Sequence, residues 1–140
     1  SLVATSKYHW IKPMTTLEQV HSNTAPQAIG PYSQAIKAGS MVFLSGQIPL
    51  NPETMELVSD DVAAQIHQVF KNLIAVAEAA GGGLANTVKL TIYLTDLGDF
   101  AVVNEIMAGY FNEPYPARAT IQVSALPKGS AVEIDAVLAL

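Results

Sequence analysis

Between Ser59 and Gly83, in the run SDDVAAQIHQVFKNLIAVAEAAGGG, apolar residues recur at helical spacing: Val62, Ile66, Val69, Leu73, Val76 and Ala80 fall on one stripe. Asp60 and Asp61 stand at its start, where unpaired backbone amides favour acidic groups, and three glycines stop it. The spacing predicts one long amphipathic helix. A second period of the same kind runs through DFAVVNEIMAGYF, where Phe100, Val103, Met107 and Tyr110 share a face. Asp99 is placed to cap that helix and Pro114 and Pro116 to end it.

Elsewhere the period is two. In NTVKLTIYLTD, Val88, Leu90, Ile92 and Leu94 point one way, and Thr87, Lys89, Thr91, Tyr93 and Thr95 point the other. ARATIQVSAL and SAVEIDAVLAL read as two further strands separated by a turn at Pro127, Lys128 and Gly129. YSQAIKAG and SMVFLSGQ form two short strands meeting near Gly39 and Ser40, with one more short strand expected near residues 17–22. The order β-β-α-β-α-β-β predicts an α+β fold, a single mixed sheet with both helices on one face. By the period-two rule Arg118, Thr120, Gln122 and Ser124 share a side, as do Glu133 and Asp135. If the helices take the apolar sides, these polar groups line the face left uncovered.

Composition explains what covers that face. Of the 140 residues half are hydrophobic and 14% are charged, against about 25% in an average soluble domain. No stretch approaches the roughly 20 apolar residues of a membrane span, so the expected cover is another copy of the chain. The length fits one domain over residues 14–140. Residues 1–13 differ in composition from the rest, contain no signal-peptide core and precede Met14, a natural start, so they read as an added or extended tail. A net charge of −5 with scattered lysine and arginine gives no footprint for nucleic acid. The chain has no cysteine, hence no disulfide, thiolate nucleophile or thiolate zinc site, and a cytoplasmic location is expected.

Candidate chemistry is sparse. There is no GxSxG elbow, His9, His21 and His67 lack metal-ligand or triad spacing, and His67 falls on the solvated flank of its helix. AGGGLAN ends a helix where a phosphate loop would open one. Arg118, mounted just after Pro116-Ala117, presents a planar fork that matches a carboxylate; the other reading is an ion pair at a subunit boundary. Glu133, between Val132 and Ile134, is a partly buried carboxyl able to hold and polarise a water, or else the partner of a lysine or of Arg118. Tyr32 in IGPYSQA and Ser45 in FLSGQIP sit in turn-like stretches that aim hydroxyls into a cleft. Residue type alone leaves these readings open.

Taken together, APQAIGPYSQAI, VFLSGQIPLNP and PARATIQVSALPKGSAVEI, in this order and at these intervals, resemble the RidA/YjgF family of reactive-intermediate deaminases over residues 23–140. The last motif is the specific one: Pro-Ala-Arg, an alternating strand, then an apolar-Glu-apolar triplet. The resemblance implies a chorismate-mutase-like subunit, a homotrimer with clefts between adjacent subunits, and hydrolysis of 2-imino acids such as 2-iminobutanoate and 2-iminopropanoate, or their enamines, to 2-oxo acids and ammonia. It implies Arg118 as the carboxylate receptor and Glu133 as the residue positioning water. Tyr32, Ser45, Gly46, Asn104 and Thr120 fall at pocket positions; many relatives carry cysteine where this chain has Thr120. No metal or organic cofactor is called for. A non-catalytic protein binding 2-oxo acids would use the same residues, whereas an endoribonuclease or translation inhibitor, a role attached to some relatives, sits poorly with an acidic chain.

Overall fold

The computed structural model of the chain describes residues 16–140; His9, the expected tail at residues 1–13 and the start at Met14 lie outside them. The elements are β1 (Leu17–Val20), β2 (Ala35–Ala38), β3 (Met41–Gln47), α1 (Val62–Ala79), β4 (Thr87–Leu94), α2 (Phe100–Ala108), β5 (Ala117–Gln122) and β6 (Val132–Ala139). All six strands join one sheet in the order β1-β2-β3-β6-β4-β5. Neighbours run antiparallel except β4 and β5, which are parallel. Their connection is the crossover through α2, and a crossover is what a parallel pair requires. The predicted mixed sheet and the extra first strand are both present.

The apolar stripe of α1 lies against alternate residues of the central strands. Ile66, Val69, Phe70, Leu73 and Val76 pack with Val42, Leu44, Leu90, Ile92, Ile134 and Leu138, all buried. Each such side chain contributes about 1.5–3 kcal/mol by leaving water. Phe70 also stacks on Tyr110, centroids 4.8 Å apart, and meets Phe111 edge-on at 5.8 Å, which fastens the end of α2 to α1. His67, exposed on α1, completes that clasp through a 2.8 Å bond between Nδ1 and the Tyr110 hydroxyl. Two buried amides on α1 serve the loops. Gln65 donates to the Ser59 carbonyl and accepts from the Ala131 amide, while Asn72 donates to the carbonyls of Ile48 and Leu50.

Three details depart from the sequence reading. Val88 is 42% exposed and Thr87 only 9%, because the pairing of β4 with β6 shifts register between Thr87 and Lys89 and resets the alternation. Asp99 makes no side-chain capping bond; a 3₁₀ turn at Leu97–Asp99 leads into α2, with the Asp96 carboxylate accepting from the Gly98 amide, and Phe100 turns outward. The helix ends at Ala108, well before the prolines.

The fourth departure matters most. In parallel register Arg118 lies beside Leu90, Thr120 beside Ile92 and Gln122 beside Leu94, so all three share the helix-covered side with the core. Glu133 and Asp135 lie beside Tyr93 and Thr91, on the open side. The two polar sets expected on one face are therefore on opposite faces of the sheet.

The Asp61 carboxylate caps α1 by accepting from the Ala64 amide at 3.0 Å, whereas Asp60 is exposed and makes no capping bond. Chemical denaturation should find Asp61→Ala destabilised by about 1 kcal/mol and Asp60→Ala nearly unchanged; equal losses would contradict this assignment of the cap.

Candidate functional site

Two cavities hold the expected residues, one on each side of the sheet. The first, of about 320 Å³, brings together Tyr32, Gly46 and Glu133, with Met55 and Lys128 on its rim. Its position follows from β3 and β6: after Leu44 the β3 register shifts, and Gly46 comes to lie against the Glu133 side chain. A Cβ on residue 46 would stand 2.5 Å from Glu133 Oε2, so the absence of a side chain at Gly46 is what lets the carboxyl lie on the strand. Tyr32 is carried by the loop before β2. That loop is pinned by the buried Gln34 amide, which donates to the carbonyls of Ser22 and Pro26 and accepts from the Ser22 amide. The Ser45 hydroxyl donates to the Ser33 carbonyl at 2.6 Å, tying the same loop to β3 instead of facing the cavity.

The second cavity, of about 500 Å³, is lined by Arg118 with Asn104, Met107 and Tyr115. Arg118 projects from edge strand β5 across α2. Its Nη1 donates to Asn104 Oδ1 at 2.6 Å and to Met107 Sδ at 3.6 Å, and its guanidinium carbon lies 5.2 Å from the Phe100 ring centroid. Among the described residues every one of these contacts is with a neutral group. These contacts hold the fork without neutralising its charge. Thr120, two residues further along the same side, has its hydroxyl buried without a hydrogen-bond partner.

Electrostatics differ between the two sides. Burial holds the half-buried Glu133 carboxyl above its ordinary pKa, and the Asp135 charge adds to the effect. The Tyr93 phenol donates to Asp135 Oδ2 at 2.9 Å, and that bond, then burial and the neighbouring carboxylate charges, raises the phenol in turn. No group of three or more metal-ligating side chains occurs among the described residues, and none of their helices is long and apolar enough to cross a membrane.

Of the candidates, the structure assembles Tyr32, Gly46 and Glu133 in one place and Arg118 and Asn104 in another, with Thr120 beside the second set and Ser45 beneath the first. The sequence reading missed Phe100 and Met107 as the supports of Arg118, having assigned both to a buried stripe. It also took Lys128 for a turn residue only; its adjacency to the Glu133 motif was the available signal.

A six-stranded mixed sheet with two helices on one side, and two cavities of small-molecule size that hold Glu133 and Arg118 separately, defines an α+β domain. The family model described as Endoribonuclease L-PSP matches residues 22–140, and the chain belongs to that family, RidA/YjgF. It is 61% identical over 120 residues to Protein DfrA of Myxococcus xanthus, covering 84% of this chain and 92% of that one. It is 50% identical to the human 2-iminobutanoate/2-iminopropanoate deaminase, covering 81% and 82%. The crystal structure of RidA from the Antarctic bacterium Psychrobacter sp. PAMC 21119 superposes with a TM-score of 0.85 at 51% identity, covering 88% of this chain and 99% of that one. The names carried by the family and its members thus range from endoribonuclease to deaminase, and the resemblance read from the motifs holds at the level of the family.

Because Glu133 is raised, the unfolded chain releases this proton at lower pH than the folded one, and stability declines as pH rises from the ordinary carboxylate range through the raised value. Glu133→Gln removes that decline. Thermal melts should show the variant at least as stable as the parent at neutral pH, with the difference vanishing below pH about 4; a variant less stable at neutral pH and equal at low pH would reverse the sign.

Proposed function

We propose that the chain hydrolyses 2-imino acids, or their enamine tautomers, to 2-oxo acids and ammonia, as a homotrimer whose sites lie between adjacent subunits. Arg118 of one subunit receives the substrate carboxylate. Glu133 of the next positions the attacking water. The observation that carries this reading is the Arg118 guanidinium, held on three sides by neutral groups and facing a cavity. The inter-subunit part is supported by the opposite placement of Arg118 and Glu133 on one sheet. One small substrate reaches both if a second copy brings its Glu133 face to the first copy's Arg118 cavity. The open side of the sheet, with Phe43 and Ile121 about half exposed, gives that copy an apolar surface to cover.

The chemistry suits so few groups. A protonated imine is already electrophilic, and binding its carboxylate beside an oriented water removes much of the entropic cost of attack. Glu133 accepts one proton as the water oxygen bonds to the imino carbon and returns it to nitrogen; the C–N bond then breaks as the hydroxyl oxygen forms the carbonyl, and the hydroxyl proton passes through the same carboxylate to the departing ammonia. Water and iminium thus become 2-oxo acid and ammonium. A carboxyl raised by burial is better matched to such a shuttle near neutrality than an ordinary one, and general acid-base help of this kind is worth about 10²- to 10⁴-fold. Tyr32 and Gly46 shape the Glu133 half, with Ser45 fixing the loop behind it, and Asn104 orients the arginine; Thr120, on the same side of β5 as Arg118, is the substrate-binding position next to it. None of these steps uses a metal or organic cofactor, and the acidic, cysteine-free chain supports a cytoplasmic location.

Arg118→Ala should lower kcat/KM for 2-iminopropanoate or 2-iminobutanoate by about 10²-fold or more, with imine decay followed in a coupled assay with a threonine dehydratase and the oligomer intact. Undiminished hydrolysis would sink the proposal. Glu133→Gln should keep 2-oxo acid binding and lose turnover; binding without turnover in parent and variant alike would favour a metabolite sensor.

A further inference from the structure

Glu133 has a second carboxyl for a neighbour. Asp135 stands two residues further along β6 on the same open side, about 7 Å away along the strand. Tyr93 of β4 reaches between them. Its register partner is Glu133, with Thr91 opposite Asp135. The phenol nevertheless reaches past that partner and donates to Asp135 Oδ2 at 2.9 Å, on the diagonal. Among the described residues no side chain donates to Glu133. One carboxyl of the pair therefore has a hydrogen-bond donor and the other has none.

The remaining polar groups around the pair come from three elements. From β3 the residue against Glu133 is Gly46, and that strand carries no charged residue. Tyr32 and Lys128 line the Glu133 cavity from the loop before β2 and the turn before β6, and Lys128 Nζ donates to the Met55 carbonyl at 3.1 Å. Lys89 of β4 stands beside Val137, beyond Asp135. Among the described residues the charge that acts on Glu133 is that of Asp135. Two neighbouring carboxyls on a half-buried surface hold one negative charge more easily than two, and a donated hydrogen bond favours the charge on the carboxyl that receives it. A proton entering this pair goes to the carboxyl without the donor.

We propose that Tyr93 and Asp135 are positioning residues for Glu133: the phenol pins the Asp135 carboxylate beside it, and that fixed charge makes Glu133 the member of the pair that takes up the proton. Neither residue lines the Glu133 cavity, so both act through Glu133. The inference rests on the hydrolysis proposed above and adds to it the groups that set the pH range in which Glu133 works. Glu133 has to be unprotonated to take a proton from water, so hydrolysis falls on the acid side as Glu133 becomes protonated. Removing the neighbouring charge weakens its hold on that proton and moves the acid limb to lower pH.

The test is a carbon-13 NMR titration of the side-chain carboxyls in the assembled protein, with the Glu133 signal identified by its loss in Glu133→Gln. Asp135→Asn should lower the Glu133 midpoint, and the acid limb of kcat/KM for 2-iminopropanoate should move with it. Tyr93→Phe, which keeps the ring and its packing, should lower the midpoint by less, because Asp135 is then no longer pinned and competes for the proton. It serves alone if the aspartate variant does not fold. An unmoved or raised Glu133 midpoint in either folded variant overturns the inference. The midpoints are read without substrate, so a parent in which they shift as expected but which hydrolyses no imine sinks the proposed function and not the pairing.

Discussion

A strand presents alternate residues to opposite faces, and hydrogen-bonded register decides which residues of neighbouring strands share a face. In this chain that rule separates Arg118 from Glu133, the two groups on which the proposed function rests. Parallel pairing with β4 commits Arg118 to the helix-covered side together with Leu90. Antiparallel pairing of β6 with the same strand commits Glu133 to the open side beside Tyr93. The core depends on the β4–β6 register, because shifting it by one residue would move Ile92 or Ile134 and their neighbours off the face that α1 covers, whereas edge strand β5 adds no residue to that core. The two groups stand on opposite faces of one sheet, which is why the proposed site is shared between subunits.

The surroundings of Arg118 and of Glu133 are each built by ordinary means. On the helix side, α2 supplies a hydrogen-bond acceptor, a thioether and an aromatic face to one guanidinium, without spending its charge on a carboxylate. On the open side, a glycine in β3 lets a carboxyl lie against the strand, and burial beside Asp135 raises it. Buried amides at Gln34, Gln65 and Asn72 hold the loops that frame the surroundings of Glu133, so the polar groups of the core serve the site as much as the fold. The small charge content that first suggested a partner is consistent with a sheet that leaves Phe43 and Ile121 on its open side.

The long helix was legible because its apolar period persists over eighteen residues, and its cap because Asp61 stands where the first amides need an acceptor. The strands were legible from period-two alternation, and Arg118 and Glu133 from residue type and motif. Their sidedness was not. Alternation relates Arg118 to Thr120 within one strand, but the relation between β5 and β6 passes through pairings with β4 that no local pattern encodes. Val88 fails for a related cause, since a register shift at Thr87 resets a pattern that looks uninterrupted. Phe100 reads as core on periodicity alone, yet it is exposed beneath a cation that arrives from a strand 18 residues later.

The central claim, one site built from Arg118 of one subunit and Glu133 of its neighbour, is tested most directly by mixing two inactive proteins. Arg118→Ala and Glu133→Gln chains, co-refolded in equal amounts into a cyclic oligomer, should restore intact Arg118–Glu133 pairs at about one quarter of the sites. Hydrolysis of 2-iminopropanoate should recover to that fraction of the parent rate. A mixture as inactive as its components would contradict the account, because it would mean that both residues serve a site within the same chain.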